Sequence, residues 1–236
     1  MKATTLALGA VCLAISTGAT AEEVSVSVGV RAWNNIWHDN ALARDSNGVP
    51  VIPRQVVRVD HGPKTTAIPF ALVRYGNFGV AASAFTSTTY VEGPKPRREY
   101  DINALYFFLP SASVSVGYKE IRYNNVKAGG VTAALSGSAP LHDNFGVYAN
   151  VGLGRMETDV DVPLPQFQGL KTSYVSLEAG FSYAIPAFVG KSAALTLGYR
   201  YQQFKFREWP LGGQVTDRAT LTDSTNGPVA GFVVTF

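Results

Sequence analysis

The sequence predicts an all-β protein: a closed, antiparallel, up-and-down transmembrane β-barrel of ten strands, with eight as the alternative count. Three observations predict it. Apolar residues alternate with small or polar ones at period two in ten segments. The connections between these segments are by turns short and long. The chain of 236 residues is 16% charged, where about 25% is usual, yet at 46% hydrophobic it is not unusually apolar. With 23 Gly and 11% aromatics, this composition excludes disorder, a coiled coil and a collagen-like fibre.

The N-terminus comes first. Lys2, the apolar stretch Leu6 to Ile15 and Ala19-Thr20-Ala21 before Glu22-Glu23 have the layout of a secretory signal peptide. Residues 1–21 are therefore expected to be cleaved, leaving 22–236 as a single barrel domain. Cys12, the only cysteine, lies inside the signal, and Val11 before it argues against lipoprotein processing. Losing Lys2 brings the net charge from +3 to +2, too small for a nucleic-acid footprint. No later stretch is apolar for long enough to make a transmembrane helix.

The strands follow in order. Val24, Val26, Val28, Val30 and Ala32 form the first apolar row. Around Thr66 to Tyr75 the phase is open, because Ile68, Phe70 and Leu72 compete with Ala71, Val73 and Tyr75. Phe78 to Ala84, Tyr100 to Phe108, Ala112 to Tyr118, Val131 to Leu135 and Phe145 to Leu153 alternate cleanly, as do Val175 to Tyr183, Ala193 to Tyr201 and Ala230 to Phe236. Short connections fall at Gly76-Asn77, Pro110-Ser111, 140–144 and 186–190; long or polar ones fall at 38–64, 92–98, 123–129, 158–170 and 209–226. Tight turns at one end and long loops at the other are the asymmetry of a barrel with periplasmic turns and extracellular loops.

A soluble secreted sandwich or barrel also alternates, and three further features favour lipid. The polar row is mostly Ser, Gly, Thr, Asn and Ala, where a wet face would carry Lys and Glu. Aromatics gather near both strand ends, as two interfacial girdles would require. The chain ends on Phe236, with Val234 and Phe232 in the same phase. Here it resembles Gram-negative outer-membrane β-barrels. That resemblance implies an outer-membrane location, lipid and lipopolysaccharide as neighbours, and a last strand (Phe232, Val234, Phe236) read by the barrel-assembly machinery. It reaches from the signal through all ten strands and singles out no subfamily.

If the apolar rows face lipid, the charges in the opposite phase face the lumen: Arg31, Asp101, Lys119, Glu178 and Arg200. Asp101 and Lys119 are symmetric about Pro110, and Glu178 and Arg200 about Val189, so each acid is expected near a base across a hairpin. We expect one ionic layer with a formal sum of +1, flanked by Asn103, Asn150 and Gln202. It reads either as a structural lattice or as the selectivity element of a narrow pore for a small solute.

Catalysis is not expected. Rim pairs His38-Asp39 and Asp60-His61 invite comparison with the omptin proteases, which are ten-stranded outer-membrane barrels. This chain is short for that family, and no omptin motif matches it. There is no G-x-S-x-G elbow, no metal-ligand spacing and no cofactor motif. The loops offer Arg44, Arg54, Arg58, Lys95, Arg97 and Arg98 as extracellular candidates for lipid phosphate or a host surface partner. The expected role is envelope-structural or narrow-channel, with surface adhesion or ligand binding as the alternative and an omptin-like rim hydrolase behind both.

Overall fold

The computed structural model describes residues 24–44, 57–86, 96–123, 125–161, 168–185, 192–210 and 218–236. The expected signal peptide, Arg54 and Lys95 lie outside the described residues. Ten strands run in order: β1 Val24–Arg44, β2 Val57–Tyr75, β3 Phe78–Thr86, β4 Arg98–Leu109, β5 Ala112–Tyr123, β6 Val126–His142, β7 Phe145–Val160, β8 Leu170–Ile185, β9 Ser192–Pro210 and β10 Arg218–Thr235. Each pairs antiparallel with its sequence neighbours, and β1 pairs with β10 to close the barrel. At the seam Val26 and Phe236 exchange backbone hydrogen bonds of 3.2 and 2.9 Å. Closure leaves no unpaired edge in hydrocarbon, where backbone groups have no water to bond.

Alternation sorts the side chains. Val28, Val30, Ile102, Val116, Val131, Leu153, Phe181 and Leu197 are exposed on the outer surface. Apolar exposure on this scale marks a lipid-facing band. In β2 the structure decides the open phase: Ile68, Phe70 and Leu72 point inward and are buried, while Val73 and Tyr75 are exposed. The reason lies on the neighbouring strand. Phe70 stands opposite Gly29, and a Cβ on Gly29 would come within 2.3 Å of the Phe70 ring, so the ring occupies the space that glycine leaves.

The turns at the end carrying the termini are tight. Tyr75 pairs with Phe78 around Gly76, whose φ of 54° suits glycine. His142 pairs with Phe145 around Asp143, at φ 43° in the left-handed region that Asp tolerates.

Several expected loops are partly strand. β1 and β2 pair beyond Trp37, with Ala41 opposite Val57, so Arg44 and Arg58 sit on strands and not in a 38–64 loop. β9 and β10 likewise extend into 209–226, and Tyr123 pairs with Val126, leaving a two-residue connection where a longer polar one was expected. Backbone pairing needs no lipid, so a ladder continues above the membrane wherever two chains stay in register. A β-strand crosses hydrocarbon in about 9–11 residues. Among the described residues β1 has 21, β2 19, β9 19 and β10 18, so the wall is tall around β9, β10, β1 and β2.

Candidate functional site in the barrel lumen

The lumen is packed in three zones. Near the tight turns Phe70, Leu72, Ala81, Leu105, Phe107, Ala194 and Val233 form an apolar plug. Arg74 lies 4.2 Å above the Phe107 ring and donates through Nε to the Gly76 carbonyl at 2.7 Å. Towards the long loops two apolar clusters, Trp33 with Ile68, Phe85 and Val229, and Tyr174 with Ile121, Met156, Phe204 and Phe206, line the interior. The charged residues lie beside and among these clusters: Glu99 stands opposite Phe85 and Ile121, and Asp223 opposite Phe204.

Strand register sets Asp101 opposite Lys119 and Glu178 opposite Arg200. The ion pairs then reach further than these hairpins. Glu178 accepts from Arg31 Nη1 across the lumen at 2.9 Å. Lys119 Nζ is 3.4 Å from Asp101 but 2.6 Å from Glu99. Glu99 also takes Arg97 Nη2 at 2.8 Å and Gln202 Nε2 at 2.7 Å, and Gln202 Oε1 in turn accepts from Arg200 Nη2 at 3.1 Å. Arg97 Nη1 reaches Asp223 at 3.4 Å and Thr225 at 3.2 Å. Glu99 is thus the hub of the network.

Three members, Arg97, Glu99 and Asp223, escape the sequence reading, and two of its expectations are corrected. Arg97 is not an extracellular loop residue; it is buried in the lumen with 2% exposure. The inward row is not small and uncharged apart from one layer. Among the described residues it carries large aromatics and eight buried charged residues, four cations and four carboxylates, so the formal sum of these is zero and not +1. The missed signal was parity: Arg97 and Glu99 share the phase of Asp101, but Pro94 and Pro96 mark a loop to the eye. Asp223 shares the phase of Val229, past Gly227-Pro228.

Each buried cation also lies over an aromatic face: Arg31 at 5.3 Å from Phe70, Arg97 at 5.3 Å from Trp37, Lys119 at 5.2 Å from Tyr174 and Arg200 at 4.7 Å from Trp33. Burying a charge is expensive unless carboxylates and ring faces replace its water. Here both do. Of the polar filling, Asn103 and Asn150 are buried and Asn150 Nδ2 donates to Ser136 Oγ at 3.5 Å.

The remaining candidates are dispersed. Arg98 opens β4 and points outward, exposed. Phe232 and Val234 face Val30 and Val28 across the seam, with Phe236 exposed at its end. Register sets His38 opposite Asp60 in the tall wall.

No protein-family model and no curated protein sequence matches the chain. Among solved structures, the outer membrane protease OmpT from Escherichia coli is similar over 94% of this chain and 100% of its own, with a TM-score of 0.51 at 10% identity. Neisserial surface protein A (NspA) matches over 91% of this chain and 100% of its own, with a TM-score of 0.36 at 15% identity. Ail, the attachment invasion locus protein of Yersinia pestis, matches over 90% and 99%, with a TM-score of 0.29 at 11% identity. At such identity the likeness is one of fold and leaves activity open. Closed by β1 and β10 and banded with exposed apolar side chains, the chain has the ten-stranded fold of a Gram-negative outer-membrane β-barrel.

Proposed function

We propose that this chain is a non-enzymatic envelope-structural barrel whose lumen is a closed ionic lattice. One observation carries the reading: among the described residues, the four buried cations are each held by an acceptor side chain and an aromatic face together. Barrels of about eight strands are filled by side chains and those of about sixteen leave a channel, so ten strands stand near the filled end. A conducting pore would need mobile or hydrated charges along its wall. Lys119 and Gln202 instead have 0% exposure. In planar bilayers the folded protein should show negligible unitary conductance, and Glu178→Ala should leave it negligible. Steady conductance in the parent chain that shifts with Glu178→Ala overturns the reading in favour of a narrow pore.

The tall wall favours a second reading, surface adhesion or ligand binding. Strands β1, β2, β9 and β10, at 21, 19, 19 and 18 residues, exceed what a bilayer needs and present paired backbone above it. Shortening the β1–β2 and β9–β10 hairpins should abolish binding to cells or matrix if that surface is adhesive. The His38–Asp60 register is a strand pairing and supplies no catalytic geometry, so the rim carries no hydrolase reading here. The Phe232, Val234 and Phe236 row is proposed as the contact with the barrel-assembly machinery, and deleting Phe236 should lower the yield of folded barrel in the outer membrane.

A further inference from the structure

The outer surface between β2 and β6 combines two features. The first is a groove. Among the described residues, the β2–β3 ladder stops at Phe70 opposite Ser83, beside Pro69, which has no N–H to continue it. Outside this point Ala71, Ala82 and Ala84 form most of the floor, Phe70, Ser83 and Asp101 of the inward row reach it where the ladder stops, and Tyr100, Ile102 and Tyr118 rise beside them around a cavity of about 840 Å³. That volume lies within the roughly 300–1,000 Å³ typical of ligand pockets.

The second feature is a row of like charges. At the long-loop end of the same face Arg98 stands directly opposite Arg122, and Arg122 directly opposite Lys127, all on outward positions of adjacent strands. Like charges facing each other across strands repel. Glu120, one outward position closer to the membrane, pairs with Arg122 and, at 3.5 Å, with Lys127. The next residue in the row, Asp159, faces Lys127 and accepts from the Gly169 N–H at 2.9 Å. Arg122 and Lys127 still leave more than half of their side chains exposed. Cations clustered at headgroup height above a concave apolar surface match an anionic headgroup with acyl chains below it. Arginine forks bind phosphate with charge-assisted, bidentate hydrogen bonds.

We propose that this face is a docking site for lipid A, the phosphorylated, multiply acylated anchor of lipopolysaccharide. Its phosphates sit on Arg98, Arg122 and Lys127, and one acyl chain lies in the alanine-floored groove. The long-loop end is the extracellular side of such a barrel, so the leaflet this row meets is the outer one. Three cations side by side also suit a headgroup with more than one phosphate better than a single phosphodiester.

Native mass spectrometry of the folded full chain in detergent tests this with three added lipids: bis-phosphorylated lipid A, lipid A stripped of phosphate, and phosphatidylglycerol. The parent chain should retain bis-phosphorylated lipid A at least about ten-fold more tightly than either control. Equal retention of phosphatidylglycerol overturns the proposal and makes the face a general anionic-lipid surface. Equal retention of phosphate-free lipid A overturns the role of the cations. The variant Arg98→Gln/Arg122→Gln/Lys127→Gln should lose that preference, and Ala84→Phe, which fills the groove and keeps every cation, should weaken binding. Unchanged binding in either, on protein whose unboiled gel band shows it folded, also overturns the proposal. The parent chain's discrimination among the three lipids decides the matter even if a variant does not fold.

Discussion

The outward and inward rows of the same strands are held by different physics. Outside, Val116, Val131 and Leu197 stand exposed on the lipid-facing band, where any apolar side chain of moderate size serves. Inside, each large side chain has particular partners: Phe70 has the space above Gly29, Arg200 has Trp33 and Gln202, and Glu99 holds Arg97, Lys119 and Gln202 together. The outer face should therefore tolerate changes of shape and reject charge. The inner face already contains charge and should reject the loss of a single partner.

Substitutions at four positions break or sharpen that contrast, each read as the urea midpoint of unfolding in lipid vesicles by tryptophan fluorescence. Glu99→Ala should do most damage, about 3–5 kcal/mol, since removing one partner of a buried pair strands the others. Asp101 and Asp223 remain beside Lys119 and Arg97, which sets the expectation at the lower end. A loss below about 1 kcal/mol would mean that the network is hydrated and that the packed-lumen description fails. Val116→Arg comes next, at about 2–4 kcal/mol near the bilayer midplane, whereas Val116→Leu should be close to neutral; equal effects would remove the lipid band.

Gly227→Ala should cost about 1–3 kcal/mol. Gly227 has φ 155°, and a Cβ there would come within 1.9 Å of the Asn34 carbonyl oxygen. Gly227-Pro228 on β10 and Gly62-Pro63 on β2 flank β1 where its pairing is interrupted, and the β1–β2 register shifts between Asn35 and Trp37. Such irregularities are common at barrel rims. The variant should loosen the tall part of β1 and spare the lower lumen, so hydrogen exchange should rise above Asn34 first. Uniform acceleration along β1 would show that the wall is one cooperative unit. Lys205→Gln, on the exposed outer row of β9, should leave the midpoint unchanged, and a clear shift would show that Lys205 is held as the Arg122 and Lys127 row is.

How far each region could be read in advance follows from the same contrast. The lipid-facing rows were legible because a two-sided environment imposes period two on the sequence directly. Glu178 and Arg200 were within reach for the same reason, since phase and a tight turn together specify which residues face each other. Arg97, Glu99 and Asp223 needed only the same phase carried a few residues further, but prolines and a Gly-Pro pair sit where the strands continue. β2 was undecidable from its own residues, because Ile68, Phe70 and Leu72 are as apolar as the row that faces lipid.

The sequence by itself determined the strand count and, outside β2, the surface that meets the membrane. These follow from a local rule, that successive side chains point to opposite faces, combined with a solvent that accepts only apolar groups on one of them. Tertiary structure alone decided where the ladders end, which row of β2 turns inward, and which carboxylate serves which cation. Glu178 faces Arg200 by register yet reaches Arg31, 147 residues away in the chain. Such choices depend on strands distant in sequence being brought around a closed circle, where the space one side chain leaves is defined by its neighbours across the lumen.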